Sequence, residues 1–314
     1  LASSPMAGLP ERTRVYQNHH LDSTRWDRLR FRPGDVVIST SYKAGTTWMQ
    51  AIVANLIHWE SGPPGAPTEL GPWIGMRIRP LDEQLERLEA QTHRRYIKSH
   101  LALDGLPYRE DVQYVIVGRD PRDVFMSFHN HYSGYTPELM AMLNAPAGRN
   151  GAPLPDCPDD VGWLWRQWIR WGWFEWESDG WPFWSHLHHC RSWWDWRHLP
   201  NILFVHYNDL LADLEGEMRR VSAWLDLAPP ESAWPRIVDA CTFESMKRNA
   251  DKILPGAEAV WRGGAQRFIY KGTNRRWEGV LSEDDLALYP EAMARTLSPE
   301  AARWLEQGRK GFEP

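Results

Sequence analysis

Lys43, Gly45, Thr46 and Thr47 fall in one short string (K-A-G-T-T, 43–47) between a β-branched run at 36–40 and an apolar stretch of helix length, free of Gly and Pro, at 46–59. A strand, a tight loop and a helix are expected there. Such a junction is suited to holding an anion. A glycine lets the chain turn sharply, the first amides of the helix point outward at the positive end of its dipole, and Lys43 and the two hydroxyls add further donors. The metal-dependent triphosphate loop GxxxxGK[ST] has its lysine directly after the glycine, whereas here the lysine comes two residues before it. A Mg-bound triphosphate is therefore not the first expectation. Taken alone, the string also suits an ordinary turn with a helix cap.

A second unit has a strand at 113–117 followed by Gly118, Arg119, Asp120 and Pro121. Asp120 suits a helix N-cap and Pro121 the first helical position, which leaves Arg119 at the strand's carboxyl end. Ser127 follows Arg119 by two helical turns, so a forked cation and a hydroxyl can meet one phosphate. A third unit has a strand at 202–206 and a helix starting near Asp209, with Leu210, Leu214, Met218, Val221 and Leu225 at intervals of three and four. A weaker strand at 95–98 precedes Ser99 and His100. Strands of buried type alternating with helices imply a parallel sheet covered by helices on both faces, in one domain spanning 1–314. Ligand chemistry in such folds sits beyond the carboxyl ends of the strands. Lys43, Lys98, His100, Arg119 and Tyr207 all fall at such ends.

Around this frame, residues 61–73 and 144–160 are rich in Pro, Gly and Ala and read as loops over the sheet edge, of the kind that form lids. The C-terminal segment 282–308 reads as helical, with Ser298 capping a helix, Pro299 at its first position and Gly308 at its stop. Of the 20 tryptophans, eleven lie between Trp163 and Trp196. Trp165, Trp168 and Trp176, and again Trp181 and Trp184, have spacings that predict amphipathic helices packing aromatic faces on the sheet. The crowded His186, His188, His189 and Cys190 do not put three ligands on one helix face, so no metal site is expected. His129 and His131 are candidates for an acceptor pocket or for the surface.

Composition bounds the partners. Lys plus Arg number 36 against 41 Asp plus Glu, a net charge of -5, which argues against an electrostatically driven nucleic-acid binder. No stretch of 18 apolar residues and no secretory leader pattern occur, and Cys157, Cys190 and Cys241 are odd in number and widely spaced. A soluble cytoplasmic chain with reduced thiols is the expectation.

Together these stretches resemble the cytosolic-type sulfotransferase family, with this chain as a bacterial member; the likeness runs over roughly residues 36–277, the core of the domain. The resemblance implies a P-loop-like α/β fold. It also implies transfer of a sulfuryl group from 3′-phosphoadenosine 5′-phosphosulfate (PAPS) to a hydroxyl of a hydrophobic small molecule such as a phenol, a steroid-like alcohol or a glycolipid, with no metal required. Lys43, Ala44, Gly45, Thr46, Thr47 and Trp48 resemble the 5′-phosphosulfate loop PKSGTTW, with Tyr42 and Ala44 in place of its Pro and Ser. Arg119 and Ser127 correspond to the 3′-phosphate motif, and Tyr207 to the tyrosine of YEDL. Phe243, in a segment similar to TSFxxMK, is implied to face Trp48 across the adenine.

Residues 268–277 resemble the RKGxxGDW loop. Lys271 and Gly272 match, but Tyr270 stands where Arg is usual, and Arg275 and Arg276 are both candidates to supply that charge. His100 corresponds to the family's base, with Lys43 assisting the leaving nucleotide and Lys98 the transferring group. Without a family dimer motif, the oligomeric state, monomer or homodimer, stays open. The rivals are a nucleotide kinase or NTPase, which lacks its GK[ST] here, and a non-catalytic nucleotide-binding protein, which has no need of Lys43 and His100 together.

Overall fold

The computed structural model describes residues 7–314. Its frame is a sheet of four parallel strands, β1 (Val36–Ser39), β2 (Tyr96–Ser99), β3 (Gln113–Gly118) and β4 (Ile202–His206), in the order β2-β1-β3-β4. Successive strand residues point to opposite faces. Val37, Ile97, Tyr114 and Ile116 thus enter one apolar cluster, and Val36, Ile38, Val115 and Val117 enter another across the sheet. Both faces are apolar, which is why the strands read as β-branched runs and why helices cover both sides. The α/β class expected from the sequence is the class the chain adopts. The expected span 1–314 begins in residues 1–6, which lie outside the described residues.

Ser39 pairs with Ser99 on one side, and Gly118 pairs with His206. The strands therefore end nearly level, and the segments after them emerge on one side. The helix Thr46–Ile57 opens at Gly45, whose φ of 110° is left-handed. The helix Pro121–Tyr132 is capped as expected, with the Asp120 carboxylate accepting from the Arg122 amide at 2.8 Å. At the base of the sheet the Asp35 carboxylate accepts from Arg95 Nε at 3.0 Å and from Nη2 at 2.6 Å, with both side chains almost wholly buried.

The third unit departs from expectation. Its helix begins at Tyr207, directly after β4, because the His206 ring accepts from the Asn208 amide at 3.0 Å and caps it there. One continuous helix through Leu225 does not form. Asp213 interrupts it, and its carboxylate caps a second helix, Leu214–Trp224, at the Gly216 amide. A side chain that satisfies nearby amides in this way competes with helix continuation.

The tryptophan-rich segment is also only partly helical. Val161–Arg170 and Leu187–Trp194 are helices, but 171–186 between them is irregular, so Trp176, Trp181 and Trp184 do not lie on helix faces. Trp165, Trp168, Trp193 and Trp194 are buried in the core. Segment 61–73 contains a helical turn, Pro67–Leu70, and the helices Leu81–Ala90 and Pro137–Asn144 were not expected. Toward the C-terminus, Ser298 accepts from the Ala301 amide at 3.2 Å and Pro299 opens the helix that ends at Gln307, as expected. Trp304 of that helix packs on Gly118, where a Cβ would come within 2.4 Å of the indole. This close approach ties the C-terminal segment to the end of β3. The three cysteines are free, and among the described residues no helix is long and apolar enough to cross a membrane.

Candidate active site

A cavity of about 600 Å³ opens beyond the carboxyl ends of the strands. Every residue assigned to the nucleotide or to the transfer from the sequence lines it except Ala44, whose side chain is wholly buried. The loop after β1 is shaped by two left-handed residues, Lys43 (φ 51°) and Gly45 (φ 110°). The left-handed turns bend the backbone into a concavity of amide groups at the start of the helix Thr46–Ile57, a form that favours anions. Gly45 also lies under Tyr207, 3.3 Å from where a Cβ would stand. Thr40 Oγ1 and Thr46 Oγ1 share a hydrogen bond of 2.6 Å that closes the base of the loop.

The tryptophan-rich segment holds this loop from behind. Trp184 Nε1 donates to the Ser41 carbonyl at 2.7 Å, and Trp168 Nε1 donates to the Tyr42 hydroxyl at 2.6 Å. His186 Nδ1 lies 2.5 Å from Ser41 Oγ and its Nε2 lies 2.9 Å from the Arg119 carbonyl. Tyr42 packs edge-on against Trp184. The bulky residue at this position therefore anchors the loop in the aromatic core. The neighbouring histidines are likewise committed, His188 to Asp104 and His189 to Ser39 Oγ. Among the described residues no group of three or more His, Cys, Asp or Glu is arranged for a metal ion.

Cations converge on the cavity from four elements. Lys43 Nζ lies 3.7 Å from the centroid of the Phe268 ring. Burial, and then the nearby charges of Arg119, Lys98 and Arg276, lower its pKa to about 7. Lys98 lies over Trp73, and burial followed by the charge of Arg79 lowers it to about 8. Arg119 is pinned on three sides: it donates to the Lys43 carbonyl at 3.0 Å, forks onto Asn274 Oδ1 at 3.1 and 3.3 Å, and lies 3.9 Å over the Tyr207 ring. Ser127 and Lys271 line the same end.

Tyr270 is accompanied by Arg276, whose guanidinium lies 5.3 Å from its ring and which lines the cavity. Arg275 instead pairs with Glu278, and its side chain is 73% exposed. Its backbone amide donates to the Asp123 carboxylate at 2.6 Å, fastening the 271–277 loop to the helix Pro121–Tyr132. Gly272 is left-handed, with φ 63°, and a Cβ there would stand 2.4 Å from the Phe243 ring. Phe243 and Trp48 both line the cavity, and Trp48 is fixed by its Nε1 donating to the Cys241 carbonyl at 2.8 Å.

His100 stands where this cationic end meets an aromatic one. Its Nδ1 lies 3.0 Å from the Thr40 carbonyl. A carbonyl only accepts, so the Nδ1 proton is fixed and Nε2 carries the lone pair. Burial, then Lys98, hold its pKa well below the ordinary value, so the ring is neutral at pH 7. Trp73 and Trp184 flank it at 4.6 and 6.1 Å. Beyond it the wall comprises Phe183, Tyr135, His131, Trp261 and Phe268. His131 lines the cavity, and His129 is not among the lining residues. Segment 61–73 contributes to the wall, but among the described residues 144–160 contributes none. Asn274, Arg276, Trp261 and the 254–257 turn were not assigned from the sequence. Only Arg276 carried a signal there, as one of two basic residues after a motif that had lost its arginine.

The model of the sulfotransferase domain family matches residues 33–299. A glycolipid sulfotransferase of Mycobacterium bovis is 31% identical over 320 residues, covering 96% of each chain. Among solved structures, a mouse sulfotransferase complexed with PAP superposes with a TM-score of 0.67 at 18% identity over 90% of this chain and 92% of that one. A retinol dehydratase in complex with androsterone and PAP gives 0.66 at 20% over 88% and 83%. At such identities these structures establish the fold. The chain belongs to the sulfotransferase family. It is a sulfotransferase.

Proposed function

We propose that the protein transfers the sulfuryl group of PAPS to a hydroxyl of a hydrophobic small molecule, with His100 as base and Lys43 and Lys98 as the charges that assist transfer. The observation that carries this reading is the joining, in one cavity, of a cationic end and an aromatic end at His100 Nε2. The residues present fit the nucleotide. The left-handed turns at Lys43 and Gly45, with the amides of Thr46 and Thr47, suit the 5′ group. Arg119, Ser127, Lys271 and Arg276 suit the 3′-phosphate, with Arg276 in place of the charge absent at Tyr270. Trp48 and Phe243 suit the base, since aromatic faces hold a base by stacking. Bound there, PAPS supplies the activated sulfuryl group.

The protein's own groups do the rest. His100 Nε2 takes the proton of the attacking hydroxyl, and the Nδ1 hydrogen bond to Thr40 holds the ring in the tautomer that permits it. Lys43 and Lys98 would supply positive charge to bound PAPS, Lys43 assisting the leaving nucleotide and Lys98 the transferring group; fixed charge in a desolvated site is usually the largest contribution. These cations supply the charge themselves, so no metal is required. The aromatic wall excludes water and takes the apolar body of the acceptor. A glycolipid acceptor in the M. bovis relative and androsterone in the retinol dehydratase structure support a hydrophobic acceptor here. We place the enzyme in the cytoplasm, where its three thiols stay reduced, and treat the chain as one domain with a core at 36–277.

The test is thermal stabilisation by adenosine 3′,5′-bisphosphate (PAP) against ATP, without metal. A larger shift with PAP is expected. Equal shifts, or a shift only with ATP and Mg²⁺, would point to a kinase-like site.

A further inference from the structure

The cavity has a polar corner that sulfuryl transfer does not use. His20, His131 and Tyr135 line it beside Phe183 and Trp184. His19 Nε2 lies 2.8 Å from the Pro182 carbonyl, and His19 Nδ1 lies 2.6 Å from His20 Nδ1. His20 Nε2 is 2.9 Å, and His131 Nε2 3.0 Å, from the Tyr135 hydroxyl. The proton positions follow from the far end. The Pro182 carbonyl can only accept, so His19 holds its proton on Nε2. Burial keeps the rings neutral: His19 is lowered to about 3, and His20 and His131 lie well below their ordinary value. A neutral imidazole has one proton. His20 therefore donates from Nδ1 to His19, Tyr135 donates to His20 Nε2, and His131 donates from Nε2 to the Tyr135 oxygen.

Every proton of this chain points toward Pro182. What this chain leaves unfilled is acceptor capacity only: the second lone pair of the Tyr135 oxygen, and His131 Nδ1, a buried nitrogen with no partner among the described residues, both on residues that line the cavity. A buried acceptor without a partner is uncommon in a native structure and calls for an explanation. The corner adjoins the reacting end, since the His20 and His100 rings pack on the same Trp184, at 5.5 and 6.1 Å.

We propose that Tyr135 and His131 form a second recognition point for the acceptor, accepting a hydrogen bond from a hydroxyl other than the one that reacts. The preferred acceptor is then an apolar or aromatic molecule with at least two hydroxyls. An acceptor presenting a carboxylate or phosphate at this corner is disfavoured, because it offers no proton. This rests on the sulfotransferase reading above and adds the acceptor's second polar group to it.

The test compares 2-naphthol with 2,7-dihydroxynaphthalene, which differ by one hydroxyl, by calorimetric binding in the presence of PAP. Wild type, Tyr135→Phe and His131→Phe are each measured. Wild type is expected to bind the diol about tenfold tighter, the scale of one buried hydrogen bond. Both variants are expected to lose that preference, so that the ratio of diol to 2-naphthol affinity falls from about ten to about one. A wild type without the preference overturns the proposal. So does a preference that survives both substitutions, or an equal loss for both phenols in variants that keep their Tm and PAP affinity. Failure of wild type to bind PAP overturns the sulfotransferase reading itself, so the two failures are distinguishable.

Discussion

Arg276 and Arg275 are adjacent in sequence and opposite in role, which makes them a sharp test of how the 3′-phosphate is held. Arg276 is half-buried, lines the cavity and contributes to lowering the pKa of Lys43, so its charge is felt inside the cavity. Arg275 faces solvent and Glu278. A hydrogen bond from a charged donor is worth ~1.5–3 kcal/mol, and partial solvent exposure places Arg276 in the lower half of that range. Arg276→Ala is therefore expected to weaken PAP binding by ~1.5–2 kcal/mol, about 10- to 30-fold, because 1.4 kcal/mol is tenfold. Arg275→Ala should stay within about twofold, as exposed ion pairs contribute little. Titration calorimetry at fixed ionic strength measures both, with adenosine 5′-phosphate as the control that lacks the 3′ group. Its affinity should not change in Arg276→Ala. Equal losses in the two variants, or the same loss with the control nucleotide, would refute the assignment of Arg276 to the 3′-phosphate.

His100→Ala should lower kcat by about 10²–10⁴ with PAP affinity retained, since the ring takes a proton rather than holding the nucleotide; steady-state rates and calorimetry on one preparation check it. The pH dependence follows from burial and neighbouring charge. Lys43, lowered to about 7, and Lys98, lowered to about 8, lose their charge as pH rises, so PAP affinity and kcat/KM of the free enzyme should fall above neutrality. His100 is held well below its ordinary value, so loss of the base on acidification should occur below the usual histidine range. In Lys43→Arg the alkaline decline in PAP affinity should move up out of the neutral range, because a guanidinium stays charged there; an unmoved profile would remove Lys43 as its cause. Asp35→Ala leaves Arg95 buried without its carboxylate and should cost ~3–5 kcal/mol of stability by urea denaturation, far more than removing an exposed pair.

Local chemistry explains which parts were legible. The four strands could be read because both faces of the sheet are buried, which makes each strand a continuous β-branched or apolar run. The turn at Gly45, the Asp120-Pro121 helix start and the Ser298 cap could be read because each depends on residues adjacent in the chain. The helix after β4 could not be placed correctly, since its start depends on a His206 side-chain cap and its break on Asp213 capping the next turn. The irregular stretch between Trp171 and His186 escaped the spacing argument for a different reason. Its indoles and rings are oriented by distant partners, Trp184 by the Ser41 carbonyl and His186 by Ser41 and Arg119.

The sequence by itself determined the sheet, the turn at Gly45 between strand and helix, and the identities of Lys43, Lys98, His100 and Arg119 as groups at strand ends, because strand, turn and helix signals are local. Only the tertiary structure put Arg276 on the cavity wall and Arg275 at the surface beside Glu278. It also supplied Asn274 as a partner of Arg119, turned the tryptophan-rich segment into the support of the loop after β1, and joined His19, His20, His131 and Tyr135 into one directed hydrogen-bond chain. Those arrangements join residues far apart in the chain, between which no periodicity or spacing runs. Their charges, rings and protons interact only once the sheet and its helices have brought them within hydrogen-bond reach.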